Sequence, residues 1–201
     1  SMSEKYHLPP EKSFPSTPMA PSSQLRTAED TLLSQDLLSP SRKTMFQSVI
    51  GDISWVGFHT RPDILYAVNM LARRAQNPNE YDFKQALRVA HYIIGTSSLG
   101  LVLGSQNGLH LIATVDTSYA THDDMKSHSS WSVFMGGAIM SRSKKQSIMT
   151  DSSTLSELVG AHMCVKDIMW ARNFLCEVGY PITSPTPLFI DTKSTLKIIE
   201  H

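Results

Sequence analysis

Leu111-Ile112-Ala113-Thr114-Val115-Asp116 and Leu188-Phe189-Ile190-Asp191 are the two stretches on which the fold turns. Each is a short apolar, β-rich run that ends in an aspartate, the pattern of a buried strand delivering a carboxylate to the edge of a sheet. Working outward from the first, Leu99–Leu103 and Leu109–Val115 read as strands separated by the turn signal Ser105-Gln106-Asn107-Gly108. Trp131–Met135 reads as a strand, Gly136-Gly137 as a turn and Ala138–Ser143 as its partner, with Lys144-Lys145-Gln146 turning the chain into Ser147–Thr150. Two helical patterns follow, Ser153–Cys164 and Val165–Val178, closed by Gly179. Pro185 and Pro187 lead into the second decisive stretch, and a helix over Ser194–Glu200 ends the chain. From Leu109 the order is β-β-β-α-α-β-α. A strand entered after helices implies an α/β domain, a mixed sheet with flanking helices.

The first half of the chain differs in kind. Residues 1–43 interleave Pro9, Pro10, Pro15, Pro18, Pro21 and Pro40 with Ser and Thr, which predicts a Pro/Ser-rich linker or extended arm. Ser1-Met2 reads as a cleavage scar ahead of a start methionine, and Leu32, Leu33, Leu37 and Leu38 could dock on a neighbouring surface. Residues 44–104 predict a small helical segment. Met45, Val49, Ile53 and Val56 share one helical face. Pro62 opens a second helix carrying Ile64, Val68, Leu71 and Ala72, which stops before Asn77-Pro78. A third helix, Glu80–Thr96, aligns Phe83, Leu87, Ala90 and Ile94. Residues 105–201 form the α/β part.

Composition narrows the classes. The chain has 201 residues, 41% of them apolar, enough for one ordinary domain or two small ones with a packed core. Lys plus Arg and Asp plus Glu are each 18, so the net charge is zero. A protein that held nucleic acid by charge alone would carry a basic excess, because phosphate neutralisation dominates such affinity. Any grip on nucleic acid here must come from a local basic patch, from polar and backbone contacts, or from a neighbouring domain. Cys164 and Cys176 fit no zinc spacing and read as reduced core thiols. No apolar run approaches the ~20 residues of a membrane helix and no signal segment is present, so an intracellular location is expected. Trp55, Trp131 and Trp170 lie within apolar patterns and read as packing, and His122, His128 and His162 form no recognisable zinc set.

Three carboxylates stand out by position: Asp116 and Asp191 at strand ends, and Glu157 in the first turns of the helix that begins near Ser152-Ser153. Each taken alone is more simply explained as a turn or helix-terminus residue. Together they would repel one another strongly, and the usual remedy is a divalent ion, with clustered oxygen ligands suiting Mg2+ or Mn2+. Two such ions serve phosphoryl displacement, one activating water and the other stabilising the leaving oxygen.

The order and spacing of several short segments then resemble a known family. His59-Thr60-Arg61-Pro62-Asp63-Ile64-Leu65-Tyr66-Ala67-Val68 and Arg88-Val89-Ala90-His91-Tyr92-Ile93-Ile94-Gly95-Thr96 are similar to segments between polymerase and ribonuclease H in the pol polyprotein of Ty1/copia-type retrotransposons. Val115-Asp116-Thr117-Ser118-Tyr119-Ala120 resembles "DADWA", and Lys126-Ser127 and Gly136-Gly137 fall where "RKSTSG" and "FLGG" would. Ser143-Lys144-Lys145-Gln146, then Asp151-Ser152-Ser153-Thr154 and Glu157, resemble "SKKQ…SSTEAEY". Lys166–Gly179, with Trp170-Ala171-Arg172 and Glu177-Val178-Gly179, is similar to "E..WLR.LL.ELG", and Ile190-Asp191-Thr192-Lys193-Ser194 to "CDN.SA". The resemblance covers about Thr44 to His201.

It implies a ribonuclease H-like fold preceded by a helical connection segment. Asp116, Glu157 and Asp191 would be the metal-binding, catalytic acids, and Mg2+ (or Mn2+) the cofactor. The implied activity is hydrolysis of the RNA strand of an RNA/DNA hybrid, with the polymerase portion of the same polyprotein as a further partner and no membrane. Arg142, Lys144 and Lys145 would meet phosphates, with Ser152 and Ser153 as hydroxyl donors; a solvated hairpin turn explains the basic cluster equally well. The chain stops at His201, before the family's "TKHID"-like segment with its fourth acid, so the domain is expected to be C-terminally truncated. Ser118 and Leu155 replace family acids that are not metal ligands, and the paired-aspartate polymerase motif is missing. The alternative is a catalytically inactive ribonuclease H-like module that binds nucleic acid or protein.

Overall fold

The structure, a computed structural model, describes residues 2–6, 14–19, 37–104 and 110–199. The chain divides into two compact units, Ser1–Gly100 and Leu101–His201.

The first unit is helical. Helix α1 spans Met2–Lys5, α2 Pro40–His59, α3 Leu65–Ala72 and α4 Glu80–Gly95, and a 3-10 turn at Pro62–Ile64 precedes α3. Pro40 sits at the start of α2, where its missing N–H costs nothing. The buried face of α2 is Phe46, Val49, Ile50, Ile53 and Gly57. Val49 and Ile53 point inward as the periodicity predicts, whereas Met45 and Val56 flank the core and Phe46 and Ile50 take its centre. The apolar stripe of α2 is wider than one line of residues, and the core selected its middle. Gly57 permits close approach, since an added Cβ would lie 3.3 Å from both Ile64 and Leu65 side chains. Helix α3 stops at Ala72, several residues short of Asn77, and α4 starts with a reciprocal cap: Asp82 N–H donates to Asn79 Oδ1 at 2.9 Å and Asn79 N–H to Asp82 Oδ2 at 3.1 Å.

Parts of the Pro/Ser-rich region join this core. Tyr6 and Leu38 are buried in it, and Leu37 bridges Asn79. Leu32, Leu33 and the turn signal at 105–108 lie outside the described residues. The Thr60-Arg61-Pro62-Asp63 segment is a structural joint. Arg61, 4% exposed, forks onto Asp63 at 2.9 and 2.8 Å and also donates to the Thr96 carbonyl and hydroxyl at the end of α4. Tyr92 completes the joint by donating to Asp63 Oδ2 at 2.9 Å. Burial works to raise the Asp63 carboxyl, but the Arg61 fork and the Tyr92 hydroxyl outweigh it and hold it below the usual carboxylate range.

The second unit is α/β. Strands β1 (Ile112–Ser118), β2 (His128–Phe134), β3 (Ala138–Lys145) and β4 (Leu188–Ile190) form one sheet in the order β3-β2-β1-β4. The β1–β2 and β2–β3 pairs are antiparallel and β1–β4 is parallel. Helix α5 (Ser153–Glu177) crosses from β3 to β4 on one face of the sheet, and α6 spans Lys193–Ile199. This is the mixed sheet with flanking helices of a ribonuclease H-like fold.

The expected pair of helices is one helix of 25 residues. Its inward stripe, Ala161, Cys164, Ile168, Ala171 and Leu175, runs unbroken through the supposed boundary and packs on Leu111, Ala113, Val115, Trp131 and Val133. Its end is a Schellman turn: Gly179 (φ +89°) donates to Cys176 O and Tyr180 to Leu175 O, at 3.1 and 2.7 Å. Leu99–Leu103 forms no strand. Residues 101–104 lie against the β2–β3 turn, where Gly104 N–H donates to Gly136 O at 2.7 Å, and a Cβ at Gly137 would strike the Val102 carbonyl. Cys164 is buried, and that burial pushes its thiol up to about 12, whereas Cys176 is exposed on the outer side of α5. Of the tryptophans only Trp131 packs in a core. Trp55 and Trp170 are mostly exposed, stacked on His59 and Phe174 respectively. No helix among the described residues is long and apolar enough to cross a membrane.

Candidate metal centre

Alternation along β1 buries Ala113, Val115 and Thr117 and turns Thr114, Asp116 and Ser118 the other way. Asp116 lies within β1, two residues before its end, because Thr117 and Ser118 still pair with Ser129 and His128. Val115 pairs with Ile190 in the parallel ladder, so Asp191, next after β4, comes level with Asp116 at the same edge of the sheet. Two apolar strands thus bring together aspartates far apart in sequence.

Glu157 reaches the same place from α5. The helix begins at Ser152, whose hydroxyl accepts from Leu155 N–H at 3.2 Å. One turn beyond Glu157, Gly160 lets the helix lie directly on the sheet: a Cβ there would strike Thr117 Oγ1 and stand 3.0 Å from Ser129 Oγ. Gln146, almost fully buried, ties the end of β3 to this turn by donating to Ser129 Oγ at 2.9 Å and Ser156 O at 2.7 Å. The result is a group of three in which one carboxylate oxygen from each of Asp116, Glu157 and Asp191 lies within 4.8 Å of the others. Among the described residues no other three His, Cys, Asp or Glu side chains converge in this way.

The electrostatics are unbalanced. Glu157 is 5% exposed, while Asp116 and Asp191 face solvent. Burial, then the charges of Asp116 and Asp191, push the Glu157 carboxyl up to about 7 against the pull of the Thr117 backbone N–H. Its Oε2 is buried without a hydrogen-bond partner, and Asp191 Oδ1 accepts from the Thr192 hydroxyl at 3.0 Å. None of the three acids has a cationic partner among the described residues. A buried carboxylate oxygen without a donor, beside two more carboxylates and no Lys or Arg, fits a hard divalent cation; Asp116, Glu157 and Asp191 are the residues that could hold it.

The other predicted residues are placed differently. Arg142 lies 3.5 Å from Asp167, which also accepts from Trp131 Nε1 at 2.8 Å. Lys145 is held by Asp124 at 2.6 Å, and Lys144 is exposed. Ser152 caps α5, and Ser153 opens it, its carbonyl accepting from the Ser156 hydroxyl at 2.7 Å. Beside the Asp116 position, and unread in the sequence, is a buried polar chain. His122 Nε2 meets His128 Nδ1 at 3.0 Å, His128 Nε2 meets Ser143 Oγ at 2.7 Å, and Ser130, the cross-strand partner of Asp116, donates to Ser143 at 3.2 Å. The His122 to His128 spacing carries no signal by itself; only the strand register makes the pair visible.

Comparison with known proteins gives three informative relatives. The chain is 32% identical over 177 residues to a retrovirus-related Pol polyprotein from transposon RE1 of Arabidopsis thaliana, a match covering 87% of this chain and 12% of that protein. The corresponding protein from transposon RE2 of the same plant is 30% identical over the same shares. That from transposon TNT 1-94 of Nicotiana tabacum is 30% identical over 68% of this chain and 10% of its own length. The chain therefore spans only about an eighth to a tenth of these curated relatives. No protein-family profile and no solved structure matches it.

Proposed function

We propose, from the premise that this chain is homologous to part of the pol polyprotein of Ty1/copia-type retrotransposons, that residues 105–201 are its ribonuclease H domain and cleave the RNA strand of RNA/DNA hybrids. The observation that carries the reading is the convergence of Asp116, Glu157 and Asp191, with the Glu157 oxygen buried and lacking a donor. Bound Mg2+ or Mn2+ would supply Lewis-acid stabilisation and an activated water for phosphodiester hydrolysis. The protein's part is positional. The β1–β4 register fixes the two aspartates, and Gly160 and Gln146 seat the turn carrying Glu157. Without a cation the raised Glu157 carboxyl is about half protonated at neutrality, and a bound cation would favour its carboxylate form.

Arg142, Lys144 and Lys145 would meet hybrid phosphates, at the cost of loosening the Asp167 and Asp124 pairs. Such exposed pairs are weak, so the exchange is inexpensive. Ser152 and Ser153 would add polar contacts at the start of α5. Residues 44–104 would be the connection segment that adjoins the polymerase portion.

The test is incubation with a labelled RNA/DNA hybrid in Mn2+ or Mg2+ beside Asp116→Asn. The expected result is RNA-strand cleavage by the parent protein and none by the variant. Cleavage that persists in the variant refutes the assignment, and hybrid binding without cleavage by either protein replaces it with a non-catalytic module.

A further inference from the structure

The outer side of α5 carries large apolar groups where a surface helix is normally polar. Met169 and Trp170 are each 58% exposed and Phe174 is 48% exposed, and the Trp170 and Phe174 rings stack on one another with centroids 5.5 Å apart. Val178 and Tyr180, just past the helix end, are exposed as well. Clustered apolar surface of this kind marks an interaction site. The buried side of the same helix carries Glu157, Cys164 and Ile168, so the outer face is separate from the acidic group.

The charges on this face indicate what covers it. Lys166, Trp170, Asn173 and Glu177 recur at intervals of four, three and four residues, the spacing of a helix–helix seam. All four are exposed, and neither Lys166 nor Glu177 has an ion-pair partner among the described residues. Both Lys166 with Glu177 and Trp170 with Asn173 are centred on the Ala171–Arg172 bond. A second α5 laid antiparallel about a two-fold axis at that level therefore sets Lys166 of each copy opposite Glu177 of the other, and Trp170 opposite Asn173. The same symmetry brings the two Trp170–Phe174 ring pairs to one flank of the seam. A parallel pairing in register would set Lys166 against Lys166 and Glu177 against Glu177, and like charges in contact are destabilising.

Half-exposed aromatic side chains present roughly 100 Å² each. With the flanking aliphatic groups, each copy can bury about 400–500 Å², or about 800–1,000 Å² in the pair, the low end for specific association. Such an area suits a weak, reversible dimer. We propose that the outer face of α5 is a self-association surface on which two copies of this chain pair antiparallel. Burial of Trp170 and Phe174 drives the contact, and Lys166 with Glu177 fixes its direction. The contact uses none of the three acidic residues, so it stands or falls apart from the nuclease reading.

The test is sedimentation velocity of the full chain in EDTA, across the micromolar to millimolar range that a contact this small requires. Expected is a monomer–dimer equilibrium that Trp170→Ala weakens at least about tenfold and Lys166→Glu weakens about tenfold. Combining Lys166→Glu with Glu177→Lys exchanges the charges and should restore the parent dimer to within about threefold. All three positions are exposed, and unchanged circular dichroism verifies that each variant is folded. A chain that stays monomeric throughout leaves the face to a different partner and overturns the proposal. Self-association indifferent to Trp170→Ala and Lys166→Glu, or a charge exchange that fails to restore it, overturns it too.

Discussion

Replacing Glu157 with glutamine keeps the side chain's size and removes a charge that folding buries beside two others. In the folded protein the carboxyl stands at about 7, against 4.5 ordinarily. Between those values the native state holds a proton that the unfolded chain has released. The Glu157 contribution to stability is therefore complete below the ordinary carboxylate range and is lost as pH rises through about 7. At about 1.4 kcal/mol per pH unit the gap corresponds to roughly 3 kcal/mol. Because Asp116 and Asp191 face solvent, screening reduces the expected figure to about 1–2 kcal/mol. Metal-free Glu157→Gln should thus be more stable than the parent by that amount near pH 8.5, about 5–10 °C in the melting point of a unit of this size, and equally stable near pH 4.5. The assay is thermal or urea unfolding in EDTA across that range, repeated with Mg2+. In Mg2+ the parent should gain stability and the variant should not. A difference between the two proteins that does not vary with pH would refute the account of the acidic group.

Gly160→Ala introduces a Cβ against Thr117 and Ser129 and should cost about 1–3 kcal/mol in urea unfolding, while weakening Mn2+ affinity because the turn carrying Glu157 is pushed off the sheet. Ser152→Ala removes the cap of α5 and should cost about 0.5–2 kcal/mol; a loss of hybrid affinity with unchanged stability would show that its hydroxyl serves the substrate instead. Arg61→Lys loses the fork onto Asp63 and should destabilise by about 2 kcal/mol at pH 7. Since the native Asp63 carboxyl lies below its ordinary 3.8, the contribution of the Arg61 fork is present above that value and vanishes as pH falls beneath it, so the deficit of the variant should shrink in acid melts.

The sequence made the strands legible wherever apolar runs met turn residues, and β1 to β4 lie close to their expected places. The carboxylates were legible for the same reason, since an acid directly after a buried run has few places to go. The unity of α5 was not. Its surface is apolar on both sides, with Met169, Trp170 and Phe174 outside and Cys164, Ile168 and Ala171 inside, so periodicity gave no guide to where one helix ended. Leu99–Leu103 has strand composition yet forms no strand: Leu99 N–H donates to Thr96 O, Val102 and Leu103 lie against the β2–β3 turn, and composition cannot supply a ladder partner. Gly160, Gln146 and the His122–His128 pair matter through what the folded chain places opposite them, information that no local window contains.

The parallel pairing of β1 with β4 carries a consequence for the order of events during folding. Antiparallel neighbours can zip from a hairpin, but β4 reaches β1 only after α5 has been laid down between them. Asp191 is thus the last acid to arrive, both on the ribosome and in the closing of the sheet. A nascent chain that has made β1 to β3 and α5 holds two of the three oxygens and cannot chelate as the finished unit would. On the proposed metal reading, cation capture would report that this most non-local pairing has closed, and Mn2+ paramagnetic broadening at Asp116 would time that step directly.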